Sequence, residues 1–132
     1  ACFAAPAPNY RTGDEQPAPP LDAIPHVYFA DPEGGRGRGG ALVTPDFIVN
    51  VTPVFETKWR MLACHESQRN WLMKQHSVDD YLLMMKEHTR ARGQLAGVEY
   101  GEGFLHYKGH PYPQSPLLEE LLGSELVFRL RP

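Results

Sequence analysis

Within "KWRMLACHESQRNWL", residues 58–72, Cys64, His65, Glu66, Ser67 and Gln68 stand side by side. A cysteine beside a histidine offers a nucleophile and a base. On a helix, however, consecutive side chains point about 100° apart, so five neighbours cannot converge on one substrate. Cys64 with Gln68, or His65 with Gln68, share a face at most. The spacing predicts that His65 and Gln68 turn inward and hydrogen-bond loops packed against the helix. Glu66 and Arg69 would then face out.

Three other groups of residues carry chemistry. Among the six histidines, only His106 and His110 stand at the i,i+4 interval of a zinc-binding helix. Gly109 and Pro111 argue against a helix there, which removes the geometric meaning of the interval. "GGRGRGG", residues 34–40, has the glycines of a phosphate loop or an RGG-type RNA contact. A phosphate loop leads into a helix, whereas "ALVTPDF" leads into a strand. A flexible Gly/Arg loop over 31–40 is the simpler expectation, with Arg36 and Arg38 available to anionic groups of a substrate. In "YGEGF", Glu102 lies between two glycines that let the backbone approach another element closely. It is expected to be mostly buried with at least two polar contacts, from loop N–H groups, Arg60, Arg69 or His65.

The elements that would hold these residues can be read coarsely. "HVYFA" (26–30) has the composition of a short buried strand. "DFIVNVT" (46–52) is the strongest strand, apolar on both faces as in a parallel sheet. Thr52 can N-cap a helix with Pro53 at its first position, running to about Gln75. Ser77 with Asp80 resembles a capping box for a second helix that ends near Gly93. "VEYGEGFLHYKGHPYPQ" carries too many Gly and Pro for a regular element. "PLLEELL" (116–122) is a short helix closed by Gly123, and "ELVFRL" (125–130) is a final strand or an extended tail.

The 132 residues suffice for one ordinary domain, and the net charge of −3 argues against a general nucleic-acid binder. No apolar run approaches the roughly 18 residues of a membrane span. Cys2 and Cys64 make neither a disulfide framework nor a CxxC knuckle, so a cytoplasmic setting is expected.

The order of these stretches resembles the PIG-L, or LmbE-like, deacetylase family. "PDFIVNVTPVFETKWRMLACHESQ" is similar to a strand feeding a helix that bears Lys and then a "cHxSQ" signature. Lys58, His65, Ser67 and Gln68 fall where that pattern puts them. "IPHVYFADP" resembles the preceding strand, and "YGEGF" with "GHPYPQSPLLEELLG" resembles a bacterial branch of the family. The resemblance spans nearly all of residues 1–123.

The resemblance implies an α/β fold: the C-terminal part of a Rossmann-like, mostly parallel sheet flanked by helices. Residues 1–132 would form a single partial domain. It also implies a zinc-dependent hydrolase that deacetylates N-acetylglucosamine-type sugars or related amides. The family's His-Pro-Asp-Asp and His-Pro-Asp-His motifs are absent from the sequence. The zinc ligands and general base are therefore expected upstream, in an N-terminal half or a companion chain, with none bound wholly here. His65, Gln68 and Glu102 become supports of the site rather than catalysts. Because the apolar strand needs sheet neighbours, a homo-oligomer and poor independent folding are expected. The other reading is a non-catalytic binding or oligomerisation module using Trp59, Trp71, Tyr107 and Tyr112.

Overall fold

A computed structural model describes residues 2–7, 13, 15–16, 18–65, 67, 71, 74 and 81–130. Four strands form one sheet: β1 (Tyr28–Ala30), β2 (Phe47–Asn50), β3 (Gly101–His106) and β4 (Val127–Arg129). Their spatial order is β1-β3-β2-β4, and every pairing is antiparallel.

This overturns the expectation of a mostly parallel, Rossmann-like sheet. The apolar run of β2 was a sound signal of burial, since Phe47 and Ile48 are both buried. It does not fix direction. An inner antiparallel strand covered on both faces reads like a parallel one. Here β2 lies between β3 and β4, and the register puts Phe47, Phe104 and Arg129 on one face. Ile48 and Gly103 share the other.

Among the described residues, three helices have defined bounds: α1 (Phe55–Ala63), α2 (Tyr81–Gln94) and α3 (Leu117–Leu122). Helix α2 packs on the Ile48 face. An added Cβ at Gly101 would lie 2.5 Å from Ile48 Cγ2 and 2.9 Å from Gly93 Cα. The glycines of "YGEGF" therefore do not interrupt structure. They are the flat side of the longest strand, which the count of Gly and Pro had hidden. Helix α3 lies on the opposite face, where the Leu118 N–H donates to Tyr28 Oη (3.4 Å) and Arg129 pairs with Glu119 (2.6 Å).

Among the described residues, the buried large apolar side chains are Phe47, Ile48, Tyr100 and Val127. Strand β1 is not the buried strand its composition suggested. It is an edge strand, and Phe29 is 52 % exposed.

The expected cap at Thr52 is used differently. Its hydroxyl accepts from the Tyr100 N–H (3.0 Å) and donates to the Tyr100 carbonyl (3.3 Å), tying the end of β2 to the start of β3. A 3-10 turn over Thr52–Val54, with Pro53 in its first turn, leads into α1. That helix stops at Ala63, short of the expected Gln75, although Ser67, Trp71 and Lys74 are again helical. The N–H groups of Cys64 and His65 bond back to Met61 and Leu62, three residues away, which tightens the chain out of the α-helix. The predicted capping box at Ser77 and Asp80 lies outside the described residues.

Candidate functional site

The centre of the candidate site is an ion pair between α1 and β3. Lys58 Nζ lies 2.7 Å from Glu102 Oε1 and also donates to Thr89 Oγ1 of α2 (3.0 Å). Thr89 is buried and donates its own proton to the Met85 carbonyl (2.7 Å). One ammonium group thus joins α1, α2 and β3. The pair is part-exposed, at 29 % for Lys58 and 37 % for Glu102.

Two hollows are lined by the pair. The smaller, about 210 Å³, lies past the end of β1 and is lined by Asp31, His88, Thr89 and the Gly101–Phe104 backbone. The larger is an open groove of about 590 Å³. Val51, Val54, Met61, Leu62 and Met85 give it an apolar wall, and Thr57, Lys58, His65 and Glu102 its polar groups.

Glu102 differs from its expectation in two ways. It is half-buried rather than mostly buried, and its partner is Lys58 rather than Arg60 or His65. Lys58, from the side of α1 that meets β3 and Thr89 of α2, takes the carboxylate instead. His65 sits exposed on the rim of the same groove, just beyond the end of α1. It does not turn inward as the helical spacing predicted, because the helix ends before it. Gln68, Glu66 and Arg69 lie outside the described residues. Cys64 is exposed, and its Sγ donates to the Arg60 carbonyl (3.2 Å).

The Gly/Arg loop has a defined course. Residues Glu33–Gly35 make a 3-10 turn, Arg36 bridges Leu42, and Arg36 Nη1 donates to the Gly40 carbonyl (2.7 Å). Arg36 is therefore spent on its own loop, while Arg38 is exposed at the tip. Sequence reasoning missed what anchors this loop. Arg92 of α2 forms a buried ion pair with Asp31, and its guanidinium occupies the space a Cβ would need at Gly35. Asp31 follows β1 directly, so an acid at a strand end was the available signal.

A second polar cluster lies on the α3 face. His106 and Tyr28 stack with ring centroids 4.7 Å apart, and His26 stacks on His106 at 5.8 Å. His26 Nε2 is 2.9 Å from Ser115 Oγ. The His106 N–H donates to Asp46 Oδ2 (2.9 Å). Burial, and then the neighbouring His26, lower the pKa of His106. His110 is exposed in the turn beyond β3, so the His106/His110 interval joins nothing.

Among the described residues, no three His, Cys, Asp or Glu side chains gather as a metal site. The acid of the candidate site, Glu102, is already held by an ammonium group that would repel a cation. The described residues do not fit a complete zinc centre. No described helix is long and apolar enough to cross a membrane. Compared with protein families, curated proteins and solved structures, the chain finds no match.

Proposed function

We propose that this chain supplies one wall of the active site of a zinc-dependent hydrolase. That enzyme would deacetylate N-acetylglucosamine-type sugars or related amides. One observation carries the reading. Lys58 and His65, from one stretch of the family resemblance, and Glu102, from another, line one groove.

In this reading residues outside these 132 would hold zinc, which would supply the hydrolytic water. An N-terminal half of the same protein or a companion chain carries them, in a cytoplasmic homo-oligomer. This chain binds and orients. Lys58 spends two of its three ammonium protons on Glu102 and Thr89 and keeps one for a substrate carbonyl. Thr89 and Glu102 hold that ammonium in place, so the donor is set before substrate arrives. The Arg38 tip is available to anionic groups of the substrate.

The test is metal content and amide hydrolysis, measured on this polypeptide alone and together with a complement bearing His-Pro-Asp-Asp and His-Pro-Asp-His motifs. Zinc and turnover are expected only with the complement. Stoichiometric zinc with turnover by the chain alone would overturn the reading.

A second reading is favoured by one specific feature. Phe29, Tyr107 and Tyr112 form an edge-to-face aromatic group at the β1 edge, and Phe29 and Tyr107 are exposed. A non-catalytic binding or oligomerisation module would use that surface. Self-association abolished by Tyr107→Ser, with no hydrolysis in any mixture, would favour it.

A further inference from the structure

The geometry points to a groove that binds an amide carrying a straight acyl chain longer than acetyl. This rests on the amide-hydrolase reading above and adds the class of acyl group.

The polar end selects the amide. An amide presents a strongly accepting carbonyl oxygen, with its N–H turned the opposite way across the trans bond. Lys58, fixed by Glu102 at 2.7 Å, presents the donor that such a carbonyl takes. Lys58 retains one proton after Glu102 and Thr89. The two charges cancel, which favours a neutral ligand. A carboxylate or an ammonium ion would have to break the pair to bind.

The rest of the groove selects the chain. Its volume of about 590 Å³ lies within the range of about 300–1,000 Å³ usual for small-molecule sites and is far larger than an acetyl group needs. Beyond Lys58 the wall is Val51, Val54, Met61, Leu62 and Met85. Val54 and Met61 are 55 % and 67 % exposed, an apolar strip running from the 3-10 turn onto α1. An acyl chain laid along it would remove that strip from water. Methionines are unbranched and adaptable, which suits a flexible alkyl chain of variable length.

The experiment is calorimetric titration of the chain with N-acetyl-, N-butanoyl- and N-hexanoylglucosamine, and with hexyl glucoside, which has the chain but no amide. Burying each methylene is worth up to about fourfold in affinity. N-Hexanoylglucosamine is expected to bind at least about tenfold more tightly than the acetyl compound, and more tightly than hexyl glucoside. Met61→Asp, at an exposed position, should flatten the dependence on chain length. Lys58→Met should remove the advantage of the amide over the glucoside. Equal affinity for acetyl and hexanoyl compounds, or for hexanoylglucosamine and hexyl glucoside, overturns the inference, as does absence of binding by all four. Chain-length-dependent binding without hydrolysis by the complemented protein would instead sink the hydrolase reading and leave the groove standing.

Discussion

Lys58 and Glu102 meet across the end of the sheet, Nζ to Oε1 at 2.7 Å, although neither lies near the other in sequence. Thr89 receives a hydrogen bond from the same ammonium group, so α1, α2 and β3 share one contact point. A pair placed this way is partly open to water, and its worth to stability is limited by solvent screening. Its larger consequence is orientation of the two side chains toward the groove.

The first prediction follows from that limit. Glu102→Gln and Lys58→Met should each destabilise the fold only modestly, and a double-mutant cycle should give a coupling of about 0.5 kcal/mol. Urea unfolding of the four proteins measures it. A coupling several times larger would mean that the pair is sequestered from solvent, contrary to its exposure here.

Asp31 and Arg92 should behave differently. Their side chains are only 4 % and 12 % exposed, and the pair ties the loop after β1 to α2. Removing one partner strands a buried charge at a cost of about 3–5 kcal/mol. Arg92→Met is expected to lower the unfolding midpoint sharply and to speed amide exchange over residues 31–43. Normal exchange in that loop would remove its supposed anchor.

Gly101 is a steric requirement. A methyl group there would lie 2.5 Å from Ile48 Cγ2 and 2.9 Å from the Gly93 backbone. Gly101→Ala is expected to push α2 off the sheet and cost about 1–3 kcal/mol. The control is Gly39→Ala, where an added Cβ meets nothing within 4 Å. Equal melting temperatures for the two variants would contradict the close packing of α2.

The His106 cluster predicts a pH dependence with a definite sign. Burial and the adjacent His26 hold the His106 pKa below its ordinary 6.5, with Lys108 adding to the effect and the Pro113 carbonyl and Asp46 opposing it. The unfolded chain therefore binds this proton more readily than the folded one. Its contribution is fully present above pH 6.5 and is lost as the pH falls through the depressed folded value. Unfolding free energies measured from pH 8 to pH 5 should decline on the acid side, and His106→Gln should flatten that part of the curve. A wild-type profile rising toward acid would reverse the assignment.

Much of the local structure was decided within short stretches. "DFIVNVT" could only be a strand, because its β-branched and aromatic run buries well on a pleated surface and badly elsewhere. Pro116 and Gly123 bound α3 by removing a donor at one end and permitting φ of +88° at the other. Glu102 stood out because glycine on either side marks a place where backbones touch. Strand direction was not decided locally. Burial on both faces is a property of being an inner strand, and only the positions of β3 and β4 made the neighbours of β2 antiparallel. Nor was the partner of Glu102. Arg60 and Lys58 carry similar charge on the same helix, and sequence does not say which side of α1 meets β3. The helix stop at Ala63 likewise needed the tertiary fold, since residues 58–72 have a plausible helical pattern throughout. The side chains with the chemistry were therefore visible in the sequence, while their grouping around one groove came from how the sheet turns α1 and α2 toward each other.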